Sequence, residues 1–412
     1  MILPLSWVDE MLKLKTLDKL IKQTQIKGKR VLLRADLNVP MQQGKVADNT
    51  RIIRIVPTIN ELVKHGAKII VLSHFGRPGG KFVRDLSLAP IVDALSAALG
   101  GKEVLFGVDC VGPSAKAAIE KLNDGDVILM ENLRFHAAEK DNDENFAKRL
   151  ASLGDIYVND AIACAHRTHA SIHAITKHLP SFAGYLMQEE LEHLHSFLAS
   201  PDKPVAALVG GSKISSKIDL LENLVPMVDY LMIGGGMANT FLYAQGNKVG
   251  TSLCEKDLKK TAQRILEKAK KSECKILLPS DCVVASELKT SPECQVVDIK
   301  SIPEDKMVLD IGPRTAAEWS NVLYQCKTVV WNGPLGAFEY SPFDVSTITI
   351  ARVIAEQTAT GNLKSIAGGG DVLSSLSRAG LRKGFTYIST AGGAFLEWLE
   401  GKELPGVKVL LE

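Results

Sequence analysis

A206-A-L-V-G-G-S-K-I-S-S-K-I218 sets a short apolar run against two glycines and then two lysines four residues apart. So brief an unbroken run, followed by glycine, suits a strand covered on both faces. Similar runs recur as VLL (31–33), IIVL (69–72), VILM (127–130), YLMI (230–233), ILL (276–278), TVVW (328–331) and YIS (387–389). Amphipathic stretches of helical length lie between them, such as IVDALSAAL and DLLENLVPMV. Strands alternating with helices predict an α/β fold with doubly wound parallel sheets. On this reading Lys213 and Lys217 would share one face of a helix starting just after the glycines.

The segments that follow the strands carry more information. They read RADLN, SHFGRP, ENLRFH, NDA, VGGSK, IGGG, PSD, DIGP, WNGP, AGGGD and STAGG. Any one of these is an ordinary strand-to-helix turn. Eleven in succession predict a ligand-binding rim, because open α/β sheets bind ligands beyond the carboxyl ends of their strands. No Gly-Lys dipeptide is followed by Ser or Thr, and no complete G-x-G-x-x-G occurs. The chain therefore has neither the common P-loop nor the dinucleotide fingerprint, which speaks against a nicotinamide dehydrogenase.

A chain of 412 residues exceeds one ordinary core, so two domains are expected. Composition, with 46% hydrophobic and 23% charged residues, is that of a globular enzyme. A net charge of +2 argues against a dedicated nucleic-acid binder. The seven cysteines are scattered without a C-x-x-C, as expected of free thiols in a reducing cytoplasm. Asp9 and Glu10 interrupt the apolar stretch that a signal peptide would need, and no apolar run approaches a membrane span. These features predict a cytoplasmic protein with no membrane partner.

The two halves differ in chemistry. All nine histidines lie between positions 65 and 195, and nine of fourteen arginines precede position 170. The clusters GG (210–211), GGG (234–236), GGG (368–370) and GG (392–393) fall in the second half. Arginine forks suit a small polyanion, whereas paired glycines let backbone amides approach the phosphates of a larger ligand. Two sites with different ligands are expected, one per domain. The join is placed near QEELEHLHSFLASPDKP (188–204), where Leu191, Leu194 and Leu198 form a helical stripe that prolines end. The predicted domains are 1–187 and 188–392, with a linking helix over about 188–200.

Within the first half, Arg51, His74, Arg77, Arg134 and Arg167 read as a basic bowl for a doubly anionic small molecule. Asp36 and Asn38 would accept from its hydroxyl. His166, His169 and His173 could share a helical face, but no carboxylate or cysteine nearby completes a tetrahedral zinc set, so anion contact or core packing is expected. In the second half A367-G-G-G-D371 ends a strand in three glycines and a carboxylate before a helix. Amides at a helix start favour phosphate, and a single carboxylate beside them suits Mg²⁺, although Asp371 could equally be a plain N-cap.

Taken in order, RADLNVP, SHFGRP, ENLRFH, AHRTHAS, GGSKISSK, IGGGMANTF, DIGP, WNGPLGAFE, GGGD and LEGKELPG resemble the phosphoglycerate kinase family from about residue 27 onward. The resemblance implies phosphoryl transfer between ATP and 3-phosphoglycerate, giving ADP and 1,3-bisphosphoglycerate. It also implies two Rossmann-like domains that close over their substrates by hinge bending, in a monomer whose C-terminal tail (about 393–412) returns to the first domain.

Carried over by position, the resemblance implies that 3-phosphoglycerate is held by Asp36, Leu37, Asn38, Arg51, His74, Phe75, Gly76, Arg77, Arg134 and Arg167. Nucleotide contacts are implied at Gly211, Lys213, Lys217, Gly235, Gly236, Gly312, Asn332, Pro334, Glu339, Gly369, Gly370, Asp371 and Val372, with Glu339 on the ribose and Asp371 on Mg²⁺. Arg51, Lys213, Lys217 and the amides of Gly370 and Gly393 are assigned to the transferring phosphoryl. The sequence departs from the family pattern at Ile162, Ala163, Ser216, Val372 and Ala391, and none of these removes a charge that the chemistry needs. The first twenty or so residues extend beyond the matched region and are assigned no role.

Overall fold

The computed structural model describes residues 13–198 and 201–412, the side chain of Leu198 excepted. Two six-stranded sheets carry the chain. The first runs, edge to edge, Val104–Gly107, Val127–Met130, Lys68–Leu72, Arg30–Arg34, Ile156–Asn159 and Ser181–Ala183. The second runs Lys275–Leu277, Tyr230–Ile233, Val205–Val209, Thr328–Asn332, Lys364–Gly368 and Tyr387–Ile388. Every pairing within both sheets is parallel.

Both faces of the first sheet are buried, which explains why its strands read as unbroken apolar runs. Val31, Leu33, Ile69, Val71, Val127 and Leu129 enter one core cluster. Their alternates Leu32, Ile70, Leu72, Ile128 and Met130 enter another on the opposite face. Successive strand side chains point to opposite sides, so a strand sandwiched between helix layers must be apolar at every position. The helix Thr50–Lys64 covers one face through Ile52, Ile55, Ile59 and Leu62, and this leaves Arg51 in its first turn beside the strand ends.

In each sheet the chain starts centrally, builds outward to one side and then crosses to the other. The reversal lies between Arg30–Arg34 and Ile156–Asn159 in the first sheet, and between Val205–Val209 and Thr328–Asn332 in the second. Crevices open at such reversal points, and both candidate sites sit there. A three-stranded antiparallel sheet (Cys294–Asp298, Asp281–Ala285, Met307–Ile311) accompanies the second sheet. Sequence reading did not anticipate it, because Cys294–Asp298 is largely exposed and offers no apolar run.

Among the described residues one unit comprises Lys13–Glu192 with Glu403–Glu412, and the other His193–Lys402. The division falls inside the helix Tyr185–Leu198, a few residues beyond the expected join at 187/188. The returning tail begins at Glu403 instead of near 393. The helix Gly393–Leu399 stays with the second unit because Phe395 is buried with its ring against Gly368, and Asn223 Nδ2 donates to Leu399 O at 2.7 Å. Residues 199–200 of the expected linking helix lie outside the described residues. Part of the unassigned N-terminal segment has a structural role. Lys15 N donates to Leu410 O at 2.9 Å, Leu14 pairs with Leu411, and Leu17 and Leu20 enter the first core.

Candidate active site

In the first unit the strand ends converge on Asp36. Arg51 NH1 reaches Asp36 Oδ2 at 2.9 Å and donates to Asn38 O at 2.8 Å. Asn38 Oδ1 accepts from Gly76 N at 2.9 Å, and Leu37 N donates to Ser73 Oγ at 2.9 Å. Arg134 NH1 donates to Gly76 O at 2.8 Å. Asn132 clamps the loop, with Nδ2 donating to Phe75 O at 2.7 Å and Oδ1 accepting from Arg134 N at 3.0 Å. Asp36, Leu37, Asn38, Arg51, His74, Phe75, Gly76 and Arg134 are thus tied into one network. Arg167 approaches through His166, its Nε lying 3.0 Å from His166 Nε2, and through its field on His74. Arg77 is exposed and makes no ion pair or hydrogen bond among the described residues.

The residue missed from sequence is Arg34. It is fully buried at the last position of its strand, where its guanidinium lies 3.2 Å from His74 Nδ1 and donates to Ser171 Oγ at 2.9 Å. Ser171 in turn donates to the buried Glu139 at 2.6 Å. The signal was present, since an arginine closing the run VLLR is out of place in a buried strand unless it is paired.

The basin is strongly cationic. Burial and the four guanidiniums of Arg34, Arg134, Arg51 and Arg167 drive His74 well below its ordinary range. Burial and Arg167 lower His166 to about 4, and burial with Arg34, Arg134 and Arg167 lowers His169 to about 3. These imidazoles are neutral at pH 7, set in a positive field that favours an anion. Among the described residues no metal-ligand group contains His166, His169 or His173.

The second unit is built from backbone. A Cβ on Gly210 would lie 1.9 Å from Pro334 O, one on Gly235 2.6 Å from Gly211 O, and one on Gly236 2.7 Å from Ser212 O. These strand-end loops pass too closely for any side chain. Lys217 spans them, its Nζ donating to Gly210 O and Asn332 Oδ1, both at 2.6 Å. Burial lowers Lys217 to about 8, against the pull of Asp371 and Glu400. Asn332 Nδ2 donates to Gly368 O at 2.9 Å, and Gly369 takes φ 102° beside it. Gly370 and Gly392 face open space, and the helix Gly370–Arg378 starts there with Asp371 exposed.

Several expectations are corrected or refined here. Lys213 and Lys217 do not share a helix face. They bracket the 3-10 turn Ile214–Ser216, and the helix Ile218–Leu224 begins only after Lys217. Ser216 Oγ donates to Lys213 O at 2.8 Å, a local side-chain bond of the kind by which serine competes with helix. Lys213 is left exposed. Gly312 is the N-cap of the helix Pro313–Leu323, beside the Asp281 carboxylate. Glu339 is exposed on the loop after Phe338. Val372 is buried in the core, and Ala391 avoids the left-handed backbone region, so both departures from the family pattern are accommodated.

Comparison with known proteins agrees with this geometry. The family model described as phosphoglycerate kinase matches residues 21–402. The chain belongs to the phosphoglycerate kinase family. The phosphoglycerate kinase of Methylobacterium radiotolerans is 57% identical over 385 residues, covering 93% of this chain and 96% of the relative. That of Granulibacter bethesdensis is 55% identical over 396 residues, covering 96% and 99%. Among solved structures, phosphoglycerate kinase from Coxiella burnetii superposes with a TM-score of 0.85 at 42% identity, covering 95% of this chain and 98% of that one. The enzyme from Pyrococcus horikoshii gives 0.79 at 31% identity, covering 96% and 98%. The chain is accordingly a kinase, a phosphotransferase with a carboxyl group as acceptor.

Proposed function

We propose that the chain transfers a phosphoryl group reversibly and in line between ATP and the carboxylate of 3-phosphoglycerate, in glycolysis and gluconeogenesis. The basin takes 3-phosphoglycerate on Arg51, Arg77, Arg134, Arg167 and His74, with Asp36 and Asn38 accepting from its hydroxyl. The nucleotide lies along Gly211, Gly235, Gly236, Asn332 and Pro334, its ribose near Glu339 and its phosphates at Lys213, Lys217 and the amides of Gly369 to Val372. One observation carries this reading: the guanidiniums of Arg34, Arg51, Arg134 and Arg167 converge on the buried His74.

The chemistry follows from the acceptor. A carboxylate is ionised at neutral pH, so no base must remove a proton, unlike the catalytic Asp of protein kinases. What remains is to position the reactants and neutralise the equatorial oxygens. Arg51 and Lys217 serve the migrating group, and the amides of Gly370 and Gly393 bind its oxygens. Asp371 fits a Mg²⁺ ligand, because its carboxylate is exposed beside glycines and makes no hydrogen bond or ion pair among the described residues. Bound there with the nucleotide, Mg²⁺ would offset phosphate charge. Transfer requires a closed state in which the two ligands meet. We place the enzyme in the cytoplasm as a monomer, in keeping with free cysteines and, among the described residues, no helix long and apolar enough to cross a membrane. A coupled assay of ATP consumption should depend on 3-phosphoglycerate, and no dependence would refute the assignment.

A further inference from the structure

The last residue of ENLRFH takes no part in the basin. His136 lies only two positions after Arg134, yet its ring packs on Phe146, with centroids 5.2 Å apart. Its Nε2 lies 2.8 Å from Asp109 Oδ1. The next residue, Cys110, is fully buried. One carboxylate oxygen, one imidazole nitrogen and one thiol sulfur from these three residues all fall within 4.8 Å of one another.

Tetrahedral ligands on a common ion with bonds of about 2.0–2.3 Å stand roughly 3–4 Å apart, so only small movements separate this trio from a coordination sphere. Two of its members are held in place. Asp109 Oδ1 accepts from Cys110 N at 2.7 Å and Val111 N at 3.4 Å, which leaves Oδ2 free to turn outward, and the tilted contact with Phe146 restrains the His136 ring. The Asp109 and His136 side chains are 40% and 29% exposed, enough for an ion to enter and keep a water ligand.

Local charge also favours a cation. The trio contains the Asp109 carboxylate and no cationic side chain. The other trio with ligand spacing, Asp36, His74 and Cys164, has the opposite field. Arg34, Arg134, Arg51 and Arg167 all act on His74 there, and a field that expels a proton also expels a dication.

We propose that Asp109, Cys110 and His136 bind a thiolate-seeking divalent cation of the Zn²⁺ class, with water in the fourth position. On binding, the Cys110 S–H bond breaks, its proton leaves to solvent and a metal–sulfur bond forms with no change of oxidation state. His136 Nε2, which donates to Asp109 Oδ1 in the metal-free protein, gives up that hydrogen bond as the ring proton moves to Nδ1, and ligates through the Nε2 lone pair so freed. Mg²⁺ does not compete, because it prefers oxygen ligands in an octahedron. The site is separate from the Asp371 carboxylate and stabilises the fold by mass action.

The test is a Co²⁺ titration of the metal-free full-length chain. The expected result is a thiolate-to-Co²⁺ charge-transfer band that saturates at one equivalent with release of one proton, is bleached by Zn²⁺ and is unaffected by excess Mg²⁺. Cys110→Ser should abolish the band, while Cys164→Ser and Cys294→Ser keep it. Should Cys110→Ser fail to fold, His136→Asn, at a partly exposed position, serves as the second variant. It should retain the metal-free melting temperature yet weaken Co²⁺ by at least the roughly 10–100-fold that loss of an outer-shell partner alone costs. The proposal is overturned if the wild-type chain shows no band, if the band follows Cys164 or Cys294, if Mg²⁺ displaces Co²⁺, or if His136→Asn binds Co²⁺ as tightly as wild type.

Discussion

At the carboxyl end of Arg30–Arg34 the chain presents guanidiniums, whereas at the corresponding end of Val205–Val209 it presents glycine backbone and a single buried ammonium. Both places are reversal points of a parallel sheet, so the folds pose the same geometric opportunity. The difference lies in what each ligand offers. A short dianion with a hydroxyl is best read by forked side chains fixed by hydrogen bonds, as Arg51 is fixed on Asp36 and Asn38. A long phosphate chain is best approached by amides, which requires loops without Cβ atoms. One region therefore concentrates function in side chains and the other in their absence.

That contrast can be broken, and the sharpest attempt is Arg51→Ala. It should leave the melting temperature nearly unchanged and lower kcat by roughly 10³-fold or more, by analogy with arginine fingers. An unchanged kcat would remove Arg51 from the catalytic set. Lys217→Met tests the ammonium that spans the glycine loops of the second region. A loss of about 10²–10³-fold in kcat is expected, as for an oxyanion donor, and steady-state kinetics at saturating substrates reads it.

The backbone half of the comparison turns on two glycines. Gly210→Ala drives a methyl into Pro334 O and should cost about 1–3 kcal/mol of stability by denaturant unfolding. Gly370→Ala, with open space around it, should keep stability and weaken nucleotide binding instead. Equal stabilities for the two variants would contradict the close-approach account. A smaller effect is expected from Asp371→Asn, namely a several-fold rise in the Mg²⁺ needed for half-maximal activity. A normal Mg²⁺ dependence would reject its role.

The slightest and broadest effect is on pH dependence. His166 and His169 have folded values near 4 and 3, below the ordinary 6.5, so the unfolded chain binds more protons between those limits. Their contribution to the first unit is complete above pH 6.5 and falls on acidification toward pH 3, outweighing the opposite contribution of Asp160, which burial raises to about 6. Burial raises Asp310 of the second unit to about 8, so there the folded state holds the extra proton. Its contribution is most favourable below pH 4 and declines as pH rises to 8. Urea unfolding followed separately in the two units should show opposite slopes between pH 4 and 6.5, and parallel slopes would refute the contrast.

Much of this was legible because the signals are local. Apolar runs mark double-sided burial, and a glycine cluster after a run marks a close approach. Arg34 escaped notice because its role depends on Ser171 and Glu139, more than a hundred residues away in sequence. The lysine pair misled because spacing suggests a helix, whereas Ser216 and the contacts of Lys217 to Gly210 and Asn332 favour a turn. The antiparallel sheet was hidden because its edge strand Cys294–Asp298 is exposed to solvent and needs no hydrophobic pattern.

From its order of residues alone this protein declares its layers, its family and the kinds of groups at each rim, since burial periodicity and motif chemistry are written in neighbouring residues. Tertiary structure decided which of those groups meet. It set Arg34 beneath His74, Lys217 across Gly210 and Asn332, and His136 beside Asp109 and Cys110. Contacts between distant segments depend on how the strands are ordered in a sheet, and no local pattern records that order.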